Sequence, residues 1–406
     1  MNQGNDFLTD NLPETPDIPN YDLVCLSHLR WDFVYQRPQH LLSRFARERR
    51  VFFIEEPIFT EEPSHLAVSP REDNLFVVVP QLNHADAGEN TIENLIRALL
   101  DEMFDERSIK DFVLWYYTPM AVSFTDHLEP QAIVYDCMDE LSMFKNAPPE
   151  LIKNEAKLFE KAAVVFTGGQ SLYEAKRHQN PNVWAFPSSI DTAHFNKARK
   201  IAAGADEMED QKAIPRPRLG YAGVIDERID LDILREIAEK RPEWQIVMIG
   251  PVVKIDEADL PRPGNIHYLG MKDYQQLPSY IAGWDVALMP FALNDSTRFI
   301  SPTKTPEYLA AGKPVVSTAI RDVVRPYGEQ NLVAIAKNAD EFIEAAEKAM
   351  NENRAEKLLA VDKFLLQTSW DKTWRRMMDL IAEAINENRA PASEKERFGR
   401  KTLAGT

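Results

Sequence analysis

Short apolar runs recur along this chain, each followed by a stretch with helical periodicity, and this alternation restricts the fold more than any other feature of the sequence. The first run is Tyr21-Asp-Leu-Val-Cys-Leu-Ser27; a helix from about Arg37 to Glu48 follows, with Leu41, Leu42 and Phe45 on one face. Val51–Ile54, Leu75–Val79, Phe112–Tyr117, Ala132–Asp136 and Ala163–Thr167 read as further strands. Helical stretches near 91–105 and 149–161, and one from about Ser171, stand between or after them. The runs are apolar almost throughout, which suits strands covered on both faces. Repeated β-α units therefore predict an α/β fold with a mostly parallel sheet.

The pattern stops and then starts again. Residues 196–217 are charged, rich in Ala and Pro and poor in large apolar groups, and read as a linker. A second series opens at Arg218-Leu-Gly-Tyr-Ala-Gly-Val-Ile225 and continues through Gln245–Gly250, Ile266–Leu269, Val286–Phe291 and Pro314–Ser317. The expected layout is a loose polar arm over 1–19, a first α/β domain over 20–195, the linker, a second α/β domain over 218–370, a helix over 371–388 and a charged, disordered tail over 389–406. With 406 residues, two domains are the natural count, and a cleft between them is the favoured place for a ligand.

Composition narrows the function. A net charge of −17 argues against a general nucleic-acid binder but permits a local basic patch for an anionic nucleotide. The two cysteines, Cys25 and Cys137, lie in or beside apolar runs and give no disulfide framework, which fits a reducing cytosol. No signal peptide or membrane-spanning run is evident, so the expected location is cytoplasmic; a lipid-linked acceptor would bring the protein to the inner membrane face as a peripheral partner.

The densest site signal is Ser301-Pro-Thr-Lys-Thr-Pro-Glu-Tyr-Leu-Ala-Ala-Gly-Lys-Pro-Val-Val-Ser-Thr318. It reads as loop, short helix, sharp stop and buried strand. Ser301 or Thr305 can cap the helix, Pro302 or Pro306 suits its first turn, and Gly312 suits a left-handed end. Lys304 and Glu307, three residues apart, share a face beside free N–H groups, an arrangement suited to a phosphate next to sugar hydroxyls. An ordinary solvated Lys–Glu pair is the alternative. Gly220-Tyr-Ala-Gly-Val-Ile-Asp-Glu-Arg228 is the second signal: Gly223 permits close approach of a ligand, and Arg228 is within reach of a diphosphate, unless it pairs with Asp230 or Asp232. Asp230-Leu-Asp232 has metal-site spelling but falls where a helix starts, and no His/Cys cluster has metal spacing.

These residues resemble the donor-nucleotide motif of GT-B glycosyltransferases, the large group that includes glycosyltransferase family 4. The run Leu26-Ser-His-Leu-Arg-Trp-Asp-Phe-Val-Tyr-Gln-Arg-Pro-Gln-His-Leu-Leu-Ser-Arg-Phe-Ala46 is similar to a branch with teichuronic acid biosynthesis glycosyltransferases. The resemblance spans roughly residues 20 to 385. It implies a GT-B fold, two Rossmann-like domains facing each other across a cleft, with the last helix crossing back to the first domain. The implied activity is transfer of a sugar from a nucleoside-diphosphate sugar, UDP foremost, to a glycan, lipid-linked or small-molecule acceptor. It implies no metal and no further cofactor. Gly223, Arg228, Ser301, Thr303, Lys304 and Glu307 form the donor set. Arg228 and Lys304 stabilise the departing diphosphate, and Glu307 matches the carboxylate that binds ribose hydroxyls. One departure stands out: Phe299 occupies the place of a Glu that contacts the donor sugar in many family 4 enzymes.

A base should come from the first domain to take the acceptor proton. Asp139 is the first choice, Asp136 the second, and His28 a third, while a structural role for any of them is as well supported; Glu140 can simply cap the next helix. Trp31, Gln36, Arg37 and His40 form a polar–aromatic set after the first strand. Trp31 could stack on a sugar and Arg37 could bind a phosphate or carboxylate, or Trp31 could be core and Arg37 solvated. A GT-B-like nucleotide-sugar epimerase and a noncatalytic glycan-assembly subunit are the competing functions. A dinucleotide oxidoreductase is disfavoured because no Gly-x-Gly-x-x-Gly follows a strand.

Overall fold

The computed structural model describes residues 20–87, 91–201 and 208–389. The arm over 1–19 and the tail beyond Arg389 lie outside the described residues. The first sheet contains β1 (Asp22–Leu26), β2 (Val51–Ile54), β3 (Ile58–Phe59), β4 (His65–Glu72), β5 (Leu75–Leu82), β6 (Phe112–Tyr116), β7 (Ala132–Cys137), β8 (Val164–Thr167) and β9 (Val183–Ala185). Their order is β3-β5-β2-β1-β6-β7-β8-β9, and β4 pairs antiparallel with β5. All the other pairings are parallel. Val24, Cys25, Leu114, Trp115, Val134 and Tyr135 are buried at the sheet centre, as strands covered on both faces require. β4 is absent from the sequence reading. It is an edge strand interrupted by Pro70 and without a buried residue, so it carries no continuous apolar run.

The second sheet is wholly parallel: β10 (Arg218–Ala222), β11 (Gln245–Ile249), β12 (Ile266–Tyr268), β13 (Val286–Met289), β14 (Val315–Ser317) and β15 (Ala334–Ile335), in the order β12-β11-β10-β13-β14-β15. Gly220 in β10 leaves room for the indole of Trp284, since a methyl there would sit 1.9 Å from its ring.

The stretch between the sheets is more than a tether. Ile190, Phe195, Ala198 and Ile214 are buried in the second core, and the Gln211 side chain donates to the Tyr280 carbonyl at 2.9 Å while accepting from the Trp284 indole at 2.9 Å. Amphipathic bonding through a single Gln is invisible to a reading based on large apolar residues. The final helix, Trp370–Arg389, packs against the first domain: Trp370, Trp374, Met377, Ile381 and Ile385 enter its core, and Asp371 pairs with Arg44 at 3.1 Å.

Candidate active site

Between the sheets lies a cleft of about 430 Å³, lined from the first domain by the loop after β1 and by the ends of β7 and β8, and from the second by the ends of β10, β11 and β13. Carboxyl ends of parallel strands meet there from both sides, which is where open α/β sheets bind ligands.

Two glycines shape its second-domain wall. Gly223 follows β10 with φ +156° and Gly250 follows β11 with φ +140°. A methyl on Gly250 would lie 1.9 Å from the Gly223 carbonyl oxygen, and one on Gly223 would lie 2.0 Å from Lys304 Cε and 2.4 Å from its Nζ. The glycine turn thus makes the space into which Lys304 projects. Lys304 is the first residue of the helix Lys304–Ala310. Tyr308 anchors that helix: its hydroxyl accepts from the Ala222 amide at 2.8 Å and donates to the Ala222 carbonyl at 3.2 Å. Gly312, at φ +76°, ends it; Gly312 and Lys313 donate back to Leu309 and Tyr308, satisfying the last carbonyls. With seven residues the helix is short, so the positive character of the site comes chiefly from side chains.

Lys304 lies 5.5 Å above the Tyr221 ring and makes no ion pair within 4 Å among the described residues. Burial lowers its pKa to about 8, with Glu307 opposing and Arg228 reinforcing the shift. Burial likewise pushes Glu307 up to about 7, only partly offset by Lys304. Arg228 lines the same cleft. It pairs with Asp226 through Nε and Nη2 at 2.6–3.0 Å, rather than with Asp230 or Asp232. Asp230 caps the helix Leu231–Lys240 by accepting from the Ile233 amide at 3.0 Å, and Asp232 pairs with Arg235. Ser301 and Thr303 line the cleft, and Ser301 is bonded across it: Ser188 Oγ donates to the Ser301 carbonyl at 2.6 Å.

On the first-domain side, Asp139 lines the cleft at the end of β7. Burial raises its carboxyl, opposed by the charges of Arg228 and Arg37. Asp136 does not reach the cleft. It is fully buried and held by Arg37 in a forked pair at 2.8–3.1 Å, while Arg37 Nη1 donates to the Phe186 carbonyl at 2.8 Å. Asp136 is thereby corrected from a base to the partner of Arg37, 99 residues away in sequence. Arg37 binds a carboxylate as one of its two expected ligands, and it also contributes to the cleft lining. Glu140 stands at the N-cap of the short helix Leu141–Met143, as read, but its side chain makes no cap bond and pairs with Lys176 at 2.7 Å. His28 is not among the residues that line the cleft; burial lowers its pKa to about 4, a Tyr117 backbone contact opposes this, and its Nδ1 is buried without a partner.

The polar–aromatic set divides. Trp31 is core, 9% exposed and edge-on to Phe53 at 5.1 Å. His40 is buried, stacked on Trp370 at 4.5 Å and shifted down to about 3 by burial, so it is a packing residue. Gln36 lines the cleft. Trp31 still contributes to the cleft lining, beside Phe33 and Tyr35, 42% and 41% exposed, which the sequence pattern did not single out although they alternate with Trp31 in the same run. Also missed were Gly250, whose position at a parallel strand end was the available signal, and Tyr274. Tyr274 stacks between Tyr35 and His194, both at 4.3 Å; its buried hydroxyl has no partner and feels the Glu307 charge. Nothing local in its sequence marks it. Phe299 packs on the first domain's core rather than lining the cleft.

The fold is the GT-B arrangement, two Rossmann-like domains facing each other across a cleft. Residues 216–352 match the family model for glycosyl transferases group 1, so the second domain is of that kind. The chain is 23% identical over 285 residues to "Putative teichuronic acid biosynthesis glycosyltransferase TuaH" of Bacillus subtilis (strain 168), covering 65% of this chain and 70% of that protein. Among solved structures, a UDP-forming α,α-trehalose-phosphate synthase from Burkholderia xenovorans superposes with a TM-score of 0.64 at 12% identity, over 89% of this chain and 100% of that one. Sucrose-phosphate synthase from Thermosynechococcus elongatus gives 0.61 at 12% identity, over 90% and 99%.

Proposed function

We propose that this glycosyltransferase moves a sugar from a nucleoside-diphosphate sugar, with UDP as the first nucleotide to test, to a glycan or lipid-linked acceptor in cell-surface polysaccharide assembly. The observation that carries the donor assignment is Lys304: a half-buried ammonium without an ion-pair partner among the described residues, seated against a glycine turn in the interdomain cleft. Such a group is costly to desolvate without a counter-charge, and a ligand with high negative charge offsets that cost. Lys304 and Arg228 would take the diphosphate, Glu307 and the Tyr274 hydroxyl the ribose, and Asp139 the acceptor proton. Two cations near the leaving group can supply the stabilisation that a metal supplies elsewhere, so the reaction is proposed to need none; each such contact contributes about 2–4 kcal/mol to the transition state. The similarity to TuaH supports the surface-polysaccharide setting. Among the described residues no helix is long and apolar enough to cross a membrane, so a lipid-linked acceptor would be met peripherally.

A thermal-shift series with UDP, GDP and ADP, each with and without EDTA, tests the donor site. One diphosphate should raise the unfolding temperature, EDTA should leave the shift intact, and Lys304→Ala should abolish it. A full shift in Lys304→Ala would remove the assignment.

A further inference from the structure

The short helix Gln170–Lys176 of the first domain is held at its two ends by different parts of the molecule. At its start, Asp322 reaches over from the second domain and accepts from the Ser171 amide at 3.0 and 3.3 Å. Asp322 is 7% exposed, and a methyl on Gly169 would lie 2.2 Å from its Oδ2 and 2.9 Å from Ser301 Cβ. The donor loop that begins at Ser301 therefore abuts the same turn. Arg321 adds an ion pair to Glu174 on the helix.

At its end, Lys176 is buried between two carboxylates, Glu140 and Glu155, each at 2.7 Å. Glu140 directly follows Asp139. The rest of that turn is fastened to the same neighbourhood: the Gly168 amide donates to the Cys137 carbonyl at 2.8 Å, Cys137 Sγ contacts the Asp139 carbonyl at 3.6 Å, and Gly168 leaves no room for a side chain against Met138. Glu155 is itself fixed by the Tyr135 hydroxyl at 2.8 Å.

We propose that this helix is a mechanical link: closure of the cleft, registered by Asp322 at its N-terminus, sets the position of the Asp139 turn through Lys176 at its C-terminus, making Lys176 and Asp322 positioning residues. The proposal rests on the reading of Asp139 as the base. A hydrogen-bonded helix of seven residues is about 10 Å long and transmits a displacement of one end to the other rather than absorbing it. Charge-assisted bonds at both ends make the couplings stiff. When the second domain withdraws, the helix loses its cap and the turn loses one of its two fixed sides, so the base is in place only when the donor-bearing domain is.

Alkylation by iodoacetamide, followed by mass spectrometry on the full chain, reads the turn directly. The two cysteines are Cys137 within it and Cys25 in the middle of β1, and both are buried. Asp322→Ala, a change in the other domain, should speed labelling of Cys137 about tenfold, the scale of losing a charged helix cap, and leave Cys25 at its wild-type rate. Lys176→Met should do the same, and Lys176→Arg should restore slow labelling. Unchanged Cys137 labelling in Asp322→Ala, or equal acceleration of both cysteines, would overturn the link. Asp139→Asn separates the two readings: retained UDP release from the donor sugar with wild-type labelling would remove the base assignment while leaving the link to the labelling result.

Discussion

Lys304 and Glu307 show what partial burial costs two charged groups in one cleft. Burial disfavours both charged forms, lowering one pKa to about 8 and raising the other to about 7. Between its unfolded value and about 8, Lys304 binds fewer protons in the folded state than in the unfolded one, so its cost is full below about pH 8 and fades as pH rises toward the unfolded value. For Glu307 the folded state holds the extra proton, and stability falls as pH rises from the ordinary carboxylate range through about 7. Lys304→Met should therefore raise the unfolding temperature of the ligand-free protein at neutral pH. The gain should be about 1–2 kcal/mol, below the full value of the shift because the side chain keeps some solvent contact, and it should vanish by about pH 10. Calorimetry across pH checks this. Diphosphate binding needs the ammonium, so Kd should be flat below about pH 8 and rise about tenfold per unit above it, measured by titration calorimetry. Asp136 and Arg37 are the contrasting case: the same kinds of group, but paired with each other. Residue type and strand-end position were enough to mark Lys304, Glu307, Gly223 and Arg228, which share one cleft. They were not enough to separate Asp139 from Asp136, because that depends on which carboxylate a distant arginine reaches.

At the level of elements, strand ends and helix ends carry the site. The apolar runs of β1, β2, β6, β7, β10, β11 and β13 were legible because strands buried on both faces must be continuously apolar. Gly312 was legible because a helix stop needs a left-handed residue. β4 was not, since an edge strand needs no such run. The loop Asp32–Tyr35 illustrates a further limit: strand periodicity ends before it, so nothing decides that Trp31 is largely buried while Phe33 and Tyr35, on the same cleft wall, stay exposed. Gly223 belongs to this scale, because its missing side chain is the room for Lys304. Gly223→Ala should abolish the diphosphate-induced thermal shift while far-UV circular dichroism stays that of the wild type; a retained shift would show that Lys304 has another resting place.

The molecule as a whole is two cores fastened by their connections. The Trp370–Arg389 helix belongs by sequence to the second domain and by packing to the first. Removing residues 370–406 should expose the apolar surface that Trp374, Met377 and Ile381 cover. The truncated protein should bind a hydrophobic dye and aggregate, whereas removal of 390–406 alone should not; light scattering distinguishes them. Chain order by itself determined the β-α alternation, its interruption, and the chemistry available at the end of each strand, because local periodicity and turn residues act over a few positions. Tertiary structure alone decided which charges are paired, which aromatics meet the cleft, and that an acid after β14 caps a helix in the other domain. Those outcomes depend on side chains that come together across about a hundred residues or more, and short-range pattern carries no term for that distance.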